Sequence, residues 1–362
     1  MSLARVLSTV FFLFVTVASS PLSRAQGKNP HGNVWSQERA WAWQAKNGWM
    51  CGADFVPSTA INQLEMWQEE TYDTTTINRE LGWAEKIGMG AMRVFLHHLA
   101  WESDREGFKG RIEKFLEIAS RHHIKIMFVF FDDCWNPDPH TGRQPRPVTG
   151  RHNSGWVQDP GPLLAKDPGL WPVLEEYVKD VMSTFGADDR VLIWDLYNEP
   201  NKPDDASLPL LRKVFQWARE TNARQPVTSG IHDWALVDYN KVQLGQSDII
   251  SYHSYGDSAE HRSRIDSLKK FNRPMICSEY MARKFNSTFQ TILPMLKREK
   301  IIAINWGLVT GKTNTMYAWG DTTHSDGSEP ALWFHDVFRR DGRPYKQEEV
   351  DVIREMTLDK NP

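Results

Sequence analysis

Eight short apolar runs, separated by helical patterns, limit most strongly what this chain can fold into. The runs are nearly continuous rather than alternating, which is typical of strands buried on both faces of a parallel sheet. They cover residues 49–55, 91–96, 124–131, 191–197, 226–229, 248–253, 274–279 and 301–306. This alternation predicts an α/β protein with a single (β/α)8 TIM barrel. A doubly wound open sheet is the alternative, but no Gly-rich phosphate turn follows the first run.

Helical periodicity fills most of the intervals between these runs. Ile77, Leu81 and Ala84 mark one face of a helix, with Asp73 as the expected N-cap and Gly88 as the expected stop. Further helices are predicted over 106–122, 171–185, 208–223, 258–271 and 287–299. Residues 132–169 are rich in Pro and Gly and show no helical period, so they predict a long loop. Because this loop follows the third strand, we expect it at the C-terminal face of the barrel, where it can shape a cleft.

The first residues predict an exported protein. Arg5, an apolar run over 6–18 and a Ser-Arg-Ala sequence at 23–25 indicate a signal peptide over residues 1–25, leaving a catalytic domain over 26–362. The run is too short to span a membrane, so we expect a secreted or periplasmic protein with no membrane contact after cleavage. The three cysteines are an odd number, which argues against a disulfide scaffold, and Cys51 and Cys277 are predicted to be buried thiols.

Charge and histidine spacing exclude other classes. Lys and Arg number 43 against 46 Asp and Glu, so no basic excess favours nucleic-acid binding. His97-His98 and His122-His123 are adjacent pairs whose side chains point apart, so they predict no zinc site. Sixteen Trp residues exceed what a core needs and suit a carbohydrate partner, with Trp135, Trp156, Trp234 and Trp319 as candidate platforms. We expect a monomer that needs no cofactor.

Two strands end in carboxyl groups. The fourth run leads into Asn198-Glu199-Pro200, and the seventh contains Glu279. In a barrel, both positions lie at the catalytic rim. Cleavage of a glycosidic bond requires two facing carboxyl groups, one to protonate the leaving oxygen and one to act at the anomeric carbon.

These residues, in this order, resemble glycoside hydrolase clan A, most nearly family 5, the cellulase and mannanase family. The resemblance extends over the barrel and includes Arg93 in the second strand, His253 and Tyr255 at the sixth and Trp306 at the eighth. It implies that Glu199 is the acid/base and Glu279 the nucleophile of a retaining hydrolase.

The resemblance also implies roles for the supporting residues. Arg93 and Tyr255 would hold the carboxylate of Glu279, and Asn198 would bind the 2-hydroxyl of the sugar. His253 would orient Glu199 or the sugar, and Trp306 would lie under the reacting ring.

The third strand departs from the family pattern. Family 5 endoglucanases usually carry a His at or just beyond its end, where this chain has Asp132-Asp133-Cys134-Trp135. Cellulose is therefore a doubtful substrate, and Asp132, Asp133 and Trp135 are predicted subsite contacts. The residues around Asn62, Gln63, Glu65 and Trp67 are also candidates to reach the cleft.

The predicted function is retaining hydrolysis of β-glycosidic bonds in a plant-type polysaccharide or a derived oligosaccharide, such as mannan, glucan or xylan. A transglycosylase is an alternative that uses the same residues. A non-catalytic carbohydrate-binding homologue is disfavoured because a binder has no need of paired carboxyl groups. A secreted esterase is disfavoured because no Gly-x-Ser-x-Gly elbow is present.

Overall fold

Eight strands form where the apolar runs predict them. A computed structural model describes residues 33–201 and 206–358, so the predicted signal peptide over 1–25 lies outside the described residues. The strands β1 to β8 are Cys51–Asp54, Ala91–Phe95, Lys125–Asp132, Val191–Asn198, Val227–Thr228, Ile250–His253, Met275–Tyr280 and Ile302–Trp306. Each differs from its predicted run by at most two residues at an end.

The strands form one parallel, nearly closed sheet. Their order is β5-β4-β3-β2-β1-β8-β7-β6, and every pair within it is parallel. A parallel bridge between Ile231 and Tyr252 links the segment after β5 to β6. β5 itself has only two residues, and the chain beyond it completes the contact. The predicted (β/α)8 barrel is confirmed.

Helices alternate with the strands around the outside. In the described residues they are α1 to α12, with bounds Gln37–Asn47, Gln63–Trp67, Thr74–Lys86, His98–Ser103, Arg105–Arg121, Pro162–Lys166, Trp171–Phe185, Ser207–Glu220, Val237–Gln246, Ser258–Lys269, Phe289–Arg298 and Gln347–Leu358. Short 3-10 turns occupy Glu69–Thr71, Pro168–Leu170 and Arg283–Phe285. Within these described ranges, we find no helix with the length and apolar character needed to cross a membrane.

Local sequence signals explain both the agreements and the errors. The Asp73 side chain accepts a hydrogen bond from the Thr76 amide at 3.0 Å, and Gly88 has a φ of 77° just beyond the helix, so the predicted ends of α3 are confirmed. The prediction that residues 132–169 contain no helix is wrong at α6. Its five residues, which begin at Pro162, are too few to produce a helical period.

The strand β2 shows how the barrel interior is layered. Its side chains alternate, so Met92 and Val94 pack outward against the helices, while Ala91, Arg93 and Phe95 lie at successive levels inside. The lowest level is apolar, the middle level holds the buried Arg93, and the top level is aromatic. Polar chemistry is thereby confined to the C-terminal half of the barrel.

Helix α1 closes the opposite end. Trp35 and Ala40 join the apolar cluster formed by Ala91, Met127, Ile276 and other residues at the N-terminal ends of the strands. The Trp49 indole donates a hydrogen bond to the Ile301 carbonyl at 2.7 Å, and the Trp41 indole donates one to the Asn272 carbonyl at 3.1 Å. The barrel is therefore sealed at this end, and its accessible face is the one where Glu199 and Glu279 lie.

Candidate active site

The two predicted carboxylates face each other at the C-terminal rim. Glu199 follows the last residue of β4, and Glu279 lies in β7, where it pairs with His253 of β6. One carboxylate oxygen of Glu199 and one of Glu279 lie within 4.8 Å of each other. The Nδ1 atom of His253 lies between them, 2.8 Å from Oε1 of Glu199 and 3.5 Å from Oε2 of Glu279.

Two charge-stabilising donors hold Glu279. The Arg93 guanidinium donates to its Oε1 atom at 2.7 Å, and the Tyr255 hydroxyl donates to its Oε2 atom at 2.5 Å. Only 6% of the Glu279 side chain is exposed. Hydrogen bonds to a carboxylate from such donors favour its ionised form, and they also fix its orientation. The structure thus brings Arg93 and Tyr255 to the atoms that the sequence interpretation assigned to them.

Arg93 anchors a buried network beneath the rim. It also donates to Asp54 at 2.9 Å, to Asp195 at 2.8 and 3.0 Å, and to the Oδ1 atom of Asn198 at 2.6 Å. Burial raises the pKa of Asp54 well above its usual range, against the lowering effect of Arg93. Burial by itself lowers the pKa of the Arg93 guanidinium, but the surrounding carboxylates outweigh it and raise that pKa well above its usual range, so the charge is permanent. The Asn198 side chain is fixed by the same network.

Glu199 is held by different groups. His253 contacts its Oε1 atom, and the Cys134 thiol donates to its Oε2 atom at 3.2 Å. The backbone at Glu199 is left-handed, with a φ of 43°, and 24% of its side chain is exposed. Non-glycine residues rarely adopt this conformation, and such strain is concentrated at functional sites.

His253 and Glu199 shift each other's pKa in opposite directions. Burial by itself raises the pKa of Glu199, but the hydrogen bond and charge of His253 outweigh it and bring that pKa to about 2. Burial lowers the pKa of His253, but the charge of Glu279 and the hydrogen bond to Glu199 raise it overall. His253 thus stands between the carboxylates of Glu199 and Glu279, and both of them favour its charged form.

Asp132, at the end of β3, also lies in this cleft. The Nδ2 atom of Asn198 donates to it at 2.9 Å, and the Trp156 indole donates to it at 2.6 Å. Burial is the largest influence and raises the pKa of Asp132 to about 7, although these hydrogen bonds lower it. Trp156 comes from the long loop, so this contact ties the loop to the cleft.

The other predicted contacts of the β3 loop have different surroundings. Asp133 lines the cleft, but its carboxylate accepts hydrogen bonds from Tyr197 and the Asn201 amide, so it holds neighbouring segments together. Trp135 is 44% exposed, has a φ of 67° and stacks on His152 with ring centroids 5.4 Å apart.

Trp306 ends β8 and lines the cleft. Its ring packs edge-on against Trp156, with ring centroids 5.6 Å apart. Of the earlier residues considered, Trp67 is buried among core aromatics instead, and its indole donates to the Phe95 carbonyl. Asn62, Gln63 and Glu65 are bonded to the long loop or to Lys312.

Some cleft residues were not identified from the sequence, and three of them carry polar or thiol groups near Glu199 or the long loop. Cys134 contacts Glu199, Asn153 carries a buried amide that has no partner among the described residues, and His232 lies beyond Glu199. The position of Cys134 just after β3 was a usable signal. Asn153 and His232 lie on loops whose path no periodicity predicts. Cys51 and Cys277 are buried free thiols, as predicted.

Two cavities meet at Glu199. The first cavity, of about 510 Å³, lies on the β3 and β8 side; it is lined by Asp132, Trp156, Glu279, Trp306 and Trp319, among others. The second cavity, of about 580 Å³, lies on the β5 and β6 side; it is lined by Trp234, Ser254, Glu260, Arg264 and Phe285, among others. Glu199, His232 and Tyr255 line both cavities, whereas Glu279 lines only the first.

One other cluster brings metal-ligating atoms together in the described ranges. The expectation that the side chains of His97 and His98 point apart is wrong: their rings stack with centroids 5.2 Å apart, and one ligating atom from each of His97, His98 and Asp159 lies within 4.8 Å of the others. Their atoms are already engaged: His98 bonds Asp159, and the ring nitrogens of His97 bond the Leu99 amide and the Gln158 carbonyl, each at 3.2 Å. Burial lowers the pKa of His97 to about 4, which keeps it neutral. This cluster ties the long loop to helix α4.

Comparisons with known proteins bear on the barrel fold. The family model for the TIM barrel domain of glycosyl hydrolases family 2 matches residues 156–306. No curated protein matches the sequence.

Solved structures share the barrel at low sequence identity. A GH5_18 protein from Streptomyces cattleya, solved with Manβ1-4GlcNAc, is 13% identical, with a TM-score of 0.61 over 87% of this chain and 82% of that one. The exo-β-1,4-mannosidase Op5Man5 from Opitutaceae bacterium strain TAV5 is 15% identical, with a TM-score of 0.61 over 85% and 60%.

An endo-β-1,4-mannanase from Thermotoga petrophila is 12% identical, with a TM-score of 0.58 over 88% of this chain and 80% of that one. These structures show the shared fold, and the family model adds a glycosidase barrel domain. The chain therefore resembles the glycosidases of clan A, and its structural neighbours include a family 5 protein.

Proposed function

We propose that this protein hydrolyses β-glycosidic bonds with retention of configuration, through a double displacement by Glu279 and Glu199. The observation that carries the proposal is that one carboxylate oxygen of Glu199 and one of Glu279 lie within 4.8 Å of each other across the cleft. Retaining glycosidases hold their carboxyl groups about 5–5.5 Å apart, whereas inverting enzymes leave about 6.5–9.5 Å for a water molecule.

In the first step, Glu279 is the nucleophile. Its ionised oxygen forms a bond to the anomeric carbon while the glycosidic bond breaks, and the leaving oxygen takes a proton from Glu199. Arg93 and Tyr255 keep Glu279 ionised and aligned. Glu199 needs a proton for this step, and its proposed source is His253, whose Nδ1 atom lies 2.8 Å from the Oε1 atom of Glu199.

In the second step, Glu199 is the base. Water loses a proton to Glu199 and attacks the anomeric carbon, which releases Glu279 as a carboxylate. The negative charge of Glu279 raises the pKa of His253. Glu279 loses this charge while it is covalently bonded to the sugar. His253 therefore binds a proton less tightly in the intermediate, and the proton abstracted from water returns the pair to its starting state.

The proposed substrate is a β-linked polysaccharide of plant type or an oligosaccharide derived from it, with β-mannosides tested first. The names of two neighbours, a mannosidase and a mannanase, motivate this order. The buried Asp132 and Asn153 in the first cavity offer polar contacts to the sugar that enters it. We propose that the exported catalytic domain comprises residues 26–362.

The test is an activity panel with the protein that begins at Gln26. β-Mannan, xylan, β-glucan and aryl β-glycosides are incubated with the wild-type protein and with Glu199→Gln and Glu279→Gln. We expect activity on one sugar class, NMR signals of a product with retained configuration, and losses of about 10³-fold or more in both variants. Inversion of configuration, or activity that survives either substitution, would contradict the proposal.

A transglycosylase is a second candidate because the second cavity leaves room beside Glu199 for an acceptor sugar. It uses the same two steps, with a sugar hydroxyl in place of water. Product analysis at rising substrate concentration separates the two, since a transglycosylase yields products longer than its substrate.

A further inference from the structure

The long loop after β3 crosses the rim of the barrel instead of turning back at once. Trp156, on this loop, packs edge-on against Phe95 of β2 and Trp306 of β8, with ring centroids 5.1 and 5.6 Å apart. The side-chain amide of Asn62, which follows β1, donates a hydrogen bond to the Gly155 carbonyl at 2.8 Å. The loop therefore lies over the ends of β2 and β8 and is bonded to the segment after β1.

The loop after β8 continues this barrier. The backbone amide of Asn153, on the long loop, donates to the Thr313 carbonyl at 2.8 Å, and the backbone amide of Lys312 donates to the Ser58 carbonyl at 3.2 Å. The segment after β1, the long loop and the loop after β8 are thus bonded to one another on one side of the rim. We call them the rim wall, which comprises residues 58–63, 148–157 and 311–324.

Two glycines show how closely the segments of the rim wall approach. A β-carbon at Gly150 would lie 2.0 Å from the His324 carbonyl oxygen, and one at Gly311 would lie 2.5 Å from the Cα atom of Ser58. Both neighbours are backbone atoms, so a side chain at either glycine would force the segments apart. The backbones are therefore in direct contact at these crossings, and the rim wall is closely packed.

The rim wall stands on the side of the reacting sugar. Glu279 lines the first cavity and not the second, so the sugar that it attacks belongs in the first cavity, which Asn153 and Trp156 of the rim wall also line. Glu199 lines both cavities, so the leaving group departs toward the second. Because the bond is cleaved at the anomeric carbon, the rim wall faces the opposite, non-reducing side of the substrate.

One residue of the rim wall carries groups that suit the end of a saccharide chain. Asn153 is 1% exposed, and neither Oδ1 nor Nδ2 of its side chain has a hydrogen-bond partner among the described residues. Buried polar groups are nearly always paired, so this amide indicates a polar ligand or water in the cavity. A carboxamide both donates and accepts, as a terminal hydroxyl does, whereas the glycosidic oxygen of an inner sugar only accepts.

We propose that the protein is exo-acting: the rim wall closes the first cavity beyond the non-reducing end of the substrate, and Asn153 bonds the terminal hydroxyl there. On the other side of Glu199, the second cavity continues the cleft and leaves room for the rest of the chain. This inference rests on the proposed function, and it adds that each cleavage releases a saccharide of one fixed length from a chain end.

The test compares substrates with free and blocked ends. They are the linear tetrasaccharide of the sugar class that the activity panel identifies, labelled at its reducing end, and the same compound with a benzyl ether on its non-reducing terminal hydroxyl. We expect a single pair of early products from the free compound and a kcat/KM about 100-fold lower or more for the blocked one. Early products of several lengths, or kcat/KM values within about threefold of each other, would overturn the exo assignment and leave the proposed function standing.

A tryptophan variant tests the closure itself. Trp135 lines the first cavity and also an outer cavity of about 440 Å³ between the long loop and the loop after β8. Trp135→Ala should join the two cavities and raise kcat/KM on the blocked compound about tenfold or more. Trp41→Ala is the matched control, since Trp41 is 40% exposed, against 44% for Trp135, and lies at the opposite end of the barrel. Equal rejection of the blocked compound by the wild type and Trp135→Ala would exclude Trp135 from the closure.

A second variant tests the recognition of the chain end. Asn153→Asp keeps the shape of the side chain and replaces its donor with an acceptor, so kcat/KM on the free tetrasaccharide should fall about tenfold or more. On a tetrasaccharide that lacks the terminal hydroxyl, the same substitution should change kcat/KM less than about threefold. Asn222→Asp is the control, because Asn222 also has a left-handed backbone but is exposed. Equal losses on both substrates would remove Asn153 from this role.

A binding measurement distinguishes the two proposals if no glycoside is cleaved. Saturation-transfer NMR is recorded with free and blocked mannotetraose, cellotetraose and xylotetraose. Signals from a free tetrasaccharide that are lost with its blocked form would support the closed cavity while the hydrolase proposal fails. Equal signals from both forms would overturn the closure, and no signal from any of them, in a protein that cleaves no glycoside, would overturn both proposals.

Discussion

The two carboxylates at the rim have contrasting surroundings. Glu279 is bonded to Arg93, whose charge is permanent, and to Tyr255, whose pKa burial raises well above its usual range. Glu199 contacts His253, an imidazole that can gain and lose a proton and whose pKa the neighbouring carboxylates raise, and the thiol of Cys134, a weak donor. The difference matches two chemical tasks: a nucleophile must stay ionised, whereas an acid/base must gain and lose a proton within each cycle.

The largest expected effect is the loss of activity on removing either carboxylate, and rescue by azide distinguishes the role of Glu199 from that of Glu279. Glu279→Ala and Glu199→Ala should each lose about 10³-fold or more in kcat, and added azide should restore activity in both. Azide that fills the space left by Glu279 attacks the sugar itself and yields a product of inverted configuration. Azide beside the Glu199→Ala site attacks the glycosyl intermediate and yields a retained product.

NMR of the two azide products is the measurement. Glu102→Gln, an exposed carboxylate on α4, is the control and should behave as wild type. The opposite assignment of configurations would exchange the roles of Glu199 and Glu279.

The second-largest effect should come from removing the permanent charge of Arg93, which should lower the stability of the fold. Arg93→Met leaves Asp54, Asp195 and Glu279 without their buried counter-ion, so the free energy of unfolding should fall by about 3–5 kcal/mol. Burial already raises the pKa of Asp54, and Arg93 opposes that rise, so in the variant the folded-state pKa of Asp54 lies further above the unfolded value and stability is lost as pH rises through it. Urea unfolding should show a smaller deficit at pH 5 than at pH 8. An equal deficit at both pH values would mean that lost packing causes it.

The third prediction concerns the proton shared by His253 and Glu199. The raised pKa of His253 keeps that proton in the site above pH 6.5, so the basic limb of the kcat/KM profile should lie above this pH. His253→Ala leaves Glu199 to bind the proton without the histidine, so the limb should move to lower pH by about one unit or more. His123→Ala, at an exposed site, is the control. An unmoved limb would exclude His253 as the holder of the proton.

The smallest effect should come from replacing Cys134, whose thiol is a weak hydrogen-bond donor to Glu199. Cys134→Ser replaces a thiol with a stronger donor to Oε2, which favours ionised Glu199 and should shift the basic limb to lower pH by less than about one unit. Cys134→Ala removes the donor and should shift the limb the other way. Shifts of the same sign in both variants would indicate a packing effect and would remove Cys134 from the control of Glu199.

The barrel and its paired carboxylates were predictable because each depends on local sequence. Buried parallel strands appear as apolar runs, and a carboxyl group at the end of such a run must lie at the rim. Glu199, Glu279, Arg93 and Tyr255 therefore meet as the strand order requires.

Loop-borne contacts were less predictable because they depend on the path of the chain between strands. Asp132 and Asp133 are adjacent, yet one bonds cleft residues while the other holds the segment after β4. The contacts of Cys134 and the unpaired atoms of His232 result from the packing of separate loops, for which the sequence has no period.

The closure of one end of the barrel by α1 determines where molecules can enter and leave the active site. Because Trp35 and Ala40 close the lower end, substrate, water and both products must all use one face of the barrel. On the proposed mechanism, the incoming water reaches the intermediate by the side from which the first product departs. A first product that stays longer beside Glu199 delays the entry of water. On this mechanism, a longer stay therefore favours transfer of the glycosyl group to a sugar over its hydrolysis.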